Sequence, residues 1–149
     1  MVAALQTIEH TPVIASEEFA VFIVDDDQSY LSSLGYRMMK ENPLHNYKVH
    51  CFSTGEDCMH HMHLQPKLII MDYYMACAQN DSLCGAELIR KIRRARPETS
   101  IVILSGQKKA GQDLETTDEE SYYYLVRDHA TYESVKKILA MIRKDHPIH

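Results

Sequence analysis

The feature that most constrains this chain is a short apolar run that ends in a single carboxylate. The run is LIIMD, residues 68–72. Four apolar residues without alternation are typical of a strand that is buried on both faces of a parallel sheet. In an open α/β sheet, ligands bind beyond the carboxyl ends of the strands. Asp72 is therefore expected to lie where the chemistry of this protein takes place.

Two further apolar runs end in polar groups. Residues 21–24 (VFIV) are followed by Asp25, Asp26 and Asp27, and residues 101–104 (IVIL) are followed by Ser105. The carboxyl ends of neighbouring parallel strands lie at the same edge of a sheet. We therefore expect Asp25, Asp26, Asp72 and Ser105 to converge there, whereas Asp27 is interpreted as the cap of the helix that follows.

The remaining periodicity completes an alternation of strands and helices. Strands are predicted over about residues 20–25, 47–51, 67–72, 101–104 and 122–126. Helical spacing joins Leu31, Leu34 and Met38, then Leu88, Ile89 and Ile92, then Val135, Ile138, Leu139 and Ile142. Ser53 and Glu56 predict a capping box that opens another helix over about 54–64. Residues 108–121 give only a weak helical signal.

This alternation predicts the fold class. Strands that alternate with helices form βαβ units and hence a parallel sheet with helices on both faces. We predict an α/β, flavodoxin-like, doubly wound sheet of five parallel strands in the order 2-1-3-4-5. Its 149 residues suit one domain. We assign residues 20–145 to that domain and residues 1–19 and 146–149 to tails, with no DNA-binding domain after the last helix.

Composition excludes several classes of function. The net charge of −5 does not indicate a nucleic-acid-binding face. The apolar runs are far shorter than the roughly 20 residues of a membrane helix, so no membrane association is predicted. The chain has four cysteines, Cys51, Cys58, Cys77 and Cys84. They show no C-x-x-C spacing, and the N-terminus shows no secretory signal, which favours reduced thiols in the cytoplasm. A disulfide between the last two is the alternative.

The converging carboxylates define a chemistry. Asp25, Asp26 and Asp72 repel one another unless a cation intervenes. Mg²⁺ meets that need, because it prefers oxygen ligands and retains several waters. A carboxylate beside Mg²⁺ can accept a phosphoryl group as an acyl phosphate, provided that positive groups face the phosphoryl oxygens. Ser105 offers a hydroxyl, and Arg127, after the fifth strand, offers a permanently charged fork.

These pieces together resemble the CheY-like receiver domain of bacterial two-component response regulators. The resemblance rests on VDD at residues 24–26, the strand-ending Asp72, SG at 105–106 and YLVR at 124–127, and it covers about residues 20–145. It implies that Asp72 is the phosphoacceptor. It also implies that Asp26 directly, and Asp25 through water, hold Mg²⁺, with the backbone carbonyl of Tyr74 as a further ligand.

The resemblance also assigns a switch and exposes departures from the family pattern. Ser105 matches the switch hydroxyl, and Tyr124 matches the switch aromatic. Arg127 stands where the family has Lys, and Asp128 follows it where Pro is usual. Ala76 also replaces a usual Pro, and the loop after Asp72 is longer than in most receivers. Arg is not equivalent to Lys in reach or geometry. Asp128 is expected to compete with the carboxylate site for Arg127.

The resemblance implies a stand-alone phosphorylation switch rather than an enzyme. Asp72 would accept a phosphoryl group from a sensor histidine kinase or a phosphotransfer protein. Output would pass through contact with another protein, and a phosphorylation-dependent homodimer is left open. The main alternative is a pseudo-receiver that binds its partner constitutively. A second alternative is a small Mg²⁺-dependent phosphohydrolase, which is disfavoured because no D-x-D surrounds Asp72: position 74 is Tyr.

A histidine-rich tract, CMHHMH at residues 58–63, resembles a metal-binding tract at first sight. On a helix, only His60 and His63 share a face, as i and i+3. No second pair at ligand spacing accompanies them, so we interpret the tract as a solvated helix face.

Overall fold

A computed structural model describes residues 18–42, 46–74, 85–106 and 122–145 of the chain. Five parallel strands form one sheet in the order β2-β1-β3-β4-β5. They are β1 (Phe19–Val24), β2 (Tyr47–Phe52), β3 (Leu68–Asp72), β4 (Ser100–Ser105) and β5 (Tyr122–Val126). The predicted fold class and strand order are confirmed.

Four α-helices lie among the described residues. They are α1 (Gln28–Lys40), α2 (Gly55–His60), α3 (Gly85–Ala95) and α4 (Thr131–Asp145). A single 3₁₀ turn, Met62–Leu64, follows α2. No helix in these ranges is long and apolar enough to cross a membrane.

Helices cover both faces of the sheet because the strand side chains alternate between two buried clusters. Phe22 and Val24 of β1 pack in one cluster with residues of α2 and α3, whereas Val21 and Ile23 pack in the other with residues of α1 and α4. β3 is buried throughout its apolar part. Each fully buried side chain of this size contributes about 1.5–3 kcal/mol, which favours β1, β3 and β4 as the inner strands of the sheet.

The beginning and end of α2 differ from the prediction. Thr54, not Ser53, caps the helix: its backbone is extended and its hydroxyl accepts a hydrogen bond from the amide of Asp57 at 3.1 Å. The α-helix also ends at His60, earlier than the predicted residue 64, and the chain tightens into the 3₁₀ turn. Gln65 then takes a left-handed conformation, with φ of 54°, that redirects the chain toward β3.

The other boundaries agree closely with the prediction. β1 begins at Phe19, one residue earlier than expected. Asp27 caps α1, as interpreted from the sequence, because its side chain accepts from the amide of Tyr30. The tail predicted over residues 1–19 is described only at residues 18–19, where Phe19 already belongs to β1. Residues 1–17, the tail at 146–149, the weak helix at 108–121, Cys77 and Cys84 lie outside the described residues.

Candidate functional site

The strand ends bring the predicted residues to one edge of the sheet. Asp25 directly follows β1, Asp72 ends β3 and Ser105 ends β4. The register sets their level, because Asp72 pairs with Leu104 and Ser105 pairs with Val126, the residue before Arg127. The amide of Arg127 also donates to the Ser105 carbonyl at 2.7 Å, which fixes where β5 delivers the arginine.

Three carboxylates form a compact cluster at this edge. Asp25, Asp26 and Asp72 each offer an oxygen, and these oxygens lie within 4.8 Å of one another. The cluster grades from buried to accessible: Asp25 is 1% exposed, Asp72 is half-buried and Asp26 is exposed. Three hard oxygen donors at this spacing suit Mg²⁺, which takes one or two carboxylates and completes its shell with water.

Asp25 is the buried anchor of the cluster. Its Oδ1 accepts a hydrogen bond from the amide of Asp27 at 2.9 Å, and its Oδ2 accepts from the Arg127 guanidinium. Burial nevertheless raises the pKa of Asp25 to about 6, because desolvation of the charged form outweighs these two favourable contacts. The nearby charges of Asp72 and Asp26 raise it further. The carboxylate at this position thus carries an electrostatic penalty that an added cation would relieve.

Asp72 is held in place by its own turn. Its Oδ1 accepts a hydrogen bond from the amide of Tyr74 at 3.1 Å. This turn is also bonded to β4, since the amide of Tyr73 donates to the Leu104 carbonyl at 3.2 Å. The Asp72 side chain is 14% exposed, so a reagent in solution can reach it. Asp72 therefore presents a fixed carboxylate oxygen at the surface of the cluster.

Arg127 bridges several carboxylates at once. Its Nη2 contacts Asp25 Oδ2 and lies 3.6 Å from Asp72 Oδ2, while its Nη1 lies 3.9 Å from Asp27 Oδ2. The guanidinium carbon also lies 3.9 Å from the centre of the Tyr30 ring, in a cation–π contact. The prediction from sequence had no role for Tyr30. The sequence did indicate that Tyr30 lies in the first turn of the helix that follows Asp25–Asp27, and this position could have suggested a place near the carboxylates.

The expected competition of Asp128 for Arg127 is wrong. The Asp128 carboxylate accepts a hydrogen bond from the amide of Ala130 at 2.8 Å, and the Asp128 amide donates to the Thr131 hydroxyl at 2.9 Å. Asp128 therefore shapes the turn into α4. Its sequence neighbour Arg127 points to the carboxylate cluster instead.

The remaining predicted residues are placed as follows. Ser105 is buried at the end of β4, whereas Tyr124 is 42% exposed on β5 and Tyr74 is 51% exposed beside Asp72. His60 and His63 are exposed, and the carboxylate cluster is the one group of metal-ligand type within the described ranges. The roles assigned to Ser105, Tyr124 and the Tyr74 carbonyl stay predictions.

Comparison with known families decides the identity of this fold. The family described as "Response regulator receiver domain" matches residues 21–140, which is most of the chain. The chain belongs to the response regulator receiver domain family. Receiver domains are phosphorylation-switched signalling domains whose partners are kinases or phosphotransfer proteins, and they typically bind Mg²⁺ at an acidic cluster. The class predicted from the sequence is therefore confirmed.

Solved receiver structures share the fold at low sequence identity. The signal receiver domain of a putative LuxO repressor protein from Vibrio parahaemolyticus is 18% identical, with a TM-score of 0.68, over 86% of this chain and 92% of that one. Chemotaxis protein CheY4 of Vibrio cholerae is 19% identical, with a TM-score of 0.67, over 84% and 98%. A CheY-like receiver from Methanospirillum hungatei is 19% identical, with a TM-score of 0.68, over 87% and 100%. No curated protein matches the receiver at the sequence level.

Proposed function

We propose that this receiver accepts a phosphoryl group on Asp72 from a sensor histidine kinase or a phosphotransfer protein and signals through contact with another protein. The observation that carries the proposal is the position of Asp72. It is accessible, fixed by the Tyr74 amide, and within 4.8 Å of the Asp25 and Asp26 oxygens. Within the described ranges, this is the one carboxylate that ends a strand inside that cluster.

The proposed step is a simple displacement. An oxygen of the Asp72 carboxylate attacks the phosphorus of a phosphohistidine, the P–O bond forms and the P–N bond breaks. The imidazole leaves with the bonding electron pair and takes up a proton. The Tyr74 amide holds Asp72 Oδ1 in position. Arg127, 3.6 Å from Asp72 Oδ2, supplies positive charge on the side of the incoming phosphoryl oxygens.

The carboxylate cluster fits Mg²⁺. The oxygens of Asp25, Asp26 and Asp72 are hard donors at suitable spacing, and burial of Asp25 beside two like charges favours an added cation. We propose that these three residues, with the Tyr74 carbonyl, hold the ion. When bound, Mg²⁺ would neutralise the charge of the phosphoryl oxygens and help to orient them.

Metal binding is tested by thermal unfolding. Millimolar Mg²⁺ should raise the melting temperature of the wild-type protein by mass action, because the cluster exists only in the folded state. Asp26→Ala should lose most of that increase. A melting temperature that Mg²⁺ leaves unchanged in both proteins would contradict the proposed site.

We propose that β5 and α4 carry the output surface. Tyr124 is exposed on β5, the edge strand beside β4, and Ser105 lies at the adjacent strand end. A movement of the Ser105 hydroxyl on phosphorylation would change the surroundings of the Tyr124 ring on the neighbouring strand. The occupant of this surface is another protein or a second phosphorylated copy of the receiver.

Intact-mass measurement tests the proposed function. With acetyl phosphate and Mg²⁺, the wild-type protein should gain the mass of one phosphoryl group, and Asp72→Asn should gain none. Asp27→Asn is the matched control, because it removes a carboxylate near Arg127 that caps α1 and takes no part in the proposed reaction. Equal labelling of wild type and Asp72→Asn would refute the assignment.

One observation favours a constitutive binding module as the second candidate. Arg127 already contacts Asp25 and approaches Asp72 without a phosphoryl group, so phosphorylation has less to change at this side chain. In that case beryllofluoride should shift the amide resonances of residues 122–126 only slightly. Arg127→Lys should enlarge the shift, because the Lys ammonium is a compact point charge that makes fewer simultaneous contacts than the guanidinium fork. A full shift in the wild-type protein, with no gain in the Lys variant, would remove this candidate.

A further inference from the structure

We propose that Arg127, clamped against the ring of Tyr30, is an internal counter-ion that competes with Mg²⁺ for Asp25 and Asp72. The inference rests on the proposed metal site, but not on phosphoryl transfer. It makes Tyr30 a positioning residue that sets how strongly the receiver binds its metal ion.

The two oxygens of each carboxylate, in Asp25 and in Asp72, have different partners. Asp25 Oδ1 and Asp72 Oδ1 each accept a backbone amide, from Asp27 and Tyr74 respectively. The other oxygen of each carboxylate, Oδ2, faces Arg127 Nη2. The guanidinium therefore covers the two oxygens that accept no backbone hydrogen bond. A divalent cation that took either oxygen would meet a positive charge at contact distance, and the guanidinium would have to move.

Tyr30 decides how easily Arg127 moves. The guanidinium carbon lies 3.9 Å from the ring centre, and the ring is half-buried in the first turn of α1. Its backbone is fixed by the Asp27 cap, because the amide of Tyr30 donates to the Asp27 carboxylate at 3.1 Å. The ring is thus a rigid wall on one face of the arginine.

One further polar atom of the Arg127 side chain does nothing to restrain the guanidinium. Its Nε is buried without a hydrogen-bond partner in the part of the chain that the structure describes. The contacts that retain the guanidinium are consequently the carboxylates on one side and the Tyr30 ring on the other. Removal of the ring should free the arginine to swing toward solvent and leave the carboxylates to the metal ion, although the charge of the protein is unchanged.

This prediction differs from a simple effect of charge. If Arg127 only repelled cations through space, loss of the Tyr30 ring would leave Mg²⁺ affinity unchanged, because the arginine would still be present. If Arg127 is a clamped competitor, loss of the ring should strengthen Mg²⁺ binding, and the hydroxyl of Tyr30 should be unimportant.

The test is a titration of the ¹⁵N-labelled full chain with Mg²⁺ alone. The Kd is obtained from the chemical shifts of the amides of residues 25–27 and 72–74. Tyr30→Leu and Tyr30→Met both remove the ring, and each should lower the Kd about fivefold, the size of one partly desolvated cation–π contact. Tyr30→Phe keeps the ring and should match wild type. Arg127→Gln should lower the Kd about tenfold or more, since it removes the competing cation altogether. In wild type, the Nε–Hε resonance of Arg127 should shift as Mg²⁺ binds.

Each outcome decides the question. Only ring-deleted variants (Tyr30→Leu or Tyr30→Met) with a folded amide spectrum are compared. If their Kd equals that of wild type while Arg127→Gln binds Mg²⁺ more tightly, the clamp is overturned. A Kd for Tyr30→Phe that matches the variants without a ring would assign the effect to the hydroxyl and would also overturn it. An absence of Mg²⁺-dependent shifts in every protein would refute the metal site itself, which is a different failure from equal affinities.

Discussion

Replacement of Asp25 by Asn is expected to stabilise the metal-free protein, although Asp25 belongs to the proposed metal site. The Asp25 side chain is 1% exposed and carries its charge beside Asp72 and Asp26. An amide has nearly the same shape, and its oxygen can still accept the Asp27 amide hydrogen bond. The substitution therefore removes a buried charge and keeps the shape of the side chain and its contact with the Asp27 amide.

The magnitude follows from the pKa. Burial raises the pKa of Asp25 from 3.8 to about 6. A shift of about two units corresponds to ~3 kcal/mol, at about 1.4 kcal/mol per unit. That is an upper limit on the gain, because Asn places an N–H donor where Asp25 Oδ2 accepts from Arg127, although Arg127 keeps Asp72 and Asp27 as partners. We expect a net increase of about 1–2 kcal/mol in the free energy of unfolding at neutral pH.

The sign depends on pH in a defined way. Below about pH 4 the Asp25 carboxyl is protonated in both the folded and unfolded states, and the penalty is absent. Between about pH 4 and pH 6 the folded protein retains a proton that the unfolded chain has released, so this group makes stability fall as the pH rises. Above pH 6 the penalty is complete. At about pH 5 roughly half of it has developed.

The assay is urea unfolding with EDTA at about pH 7.5 and about pH 5, where the advantage of Asp25→Asn should be clearly smaller at the lower pH. Asp27→Asn is the matched control: it alters an exposed carboxylate near the same arginine, and Asn caps helices as well as Asp, so its effect should stay within about 0.5 kcal/mol. An Asp25→Asn variant that is no more stable than wild type at the higher pH, or whose advantage does not depend on pH, would refute the electrostatic penalty at Asp25.

Two other substitutions give separate tests. Tyr74 is 51% exposed two residues after Asp72, where its ring should shield an acyl phosphate from water, so Tyr74→Asn should shorten the phosphorylated lifetime measured by mass; an unchanged lifetime would exclude shielding. A Cβ on Gly35 of α1 would lie 2.8 Å from the Cys51 sulfur, so Gly35→Ala should lower the free energy of unfolding by about 1 kcal/mol despite its better helix propensity. In a Cys51→Ala background the same change should stabilise by about 1 kcal/mol, and additive effects in urea unfolding would contradict this packing.

The inner part of the sheet was predictable from sequence because β1, β3 and β4 are buried on both faces. Such strands appear as unbroken apolar runs, and each run here ends at a polar residue that the sheet brings to one edge. β5 matches its predicted limits, and β3 begins one residue later than predicted. The convergence of Asp25, Asp26 and Asp72 then follows from parallel pairing alone.

Local competition between neighbouring residues was not predictable in the same way. Ser53 and Thr54 both carry hydroxyls, and the extended backbone at Thr54 decides that the second caps α2. Asp128 is adjacent to Arg127 in sequence, yet the turn into α4 engages its carboxylate with the Ala130 amide. Hydrophobic periodicity does not encode either choice, because each depends on the backbone conformation of the loop between a strand and the next helix.

The contact between Arg127 and Tyr30 was hidden for a related reason. The two residues belong to opposite ends of the domain sequence and meet only because β5 and the start of α1 reach the same edge of the sheet. The sequence showed that an arginine stands at the position after β5. It could not show that an aromatic ring would hold that arginine over Asp25.

The most direct test of the account is to locate the acyl phosphate. After incubation with acetyl phosphate and Mg²⁺, borohydride reduction converts a phosphorylated aspartate to homoserine, and tandem mass spectrometry of the peptides identifies the modified position. We predict homoserine at Asp72 alone, and none when Mg²⁺ is removed with EDTA. Homoserine at Asp25 or Asp26, or no reduction at Asp72 in a protein that has gained phosphoryl mass, would contradict the central claim.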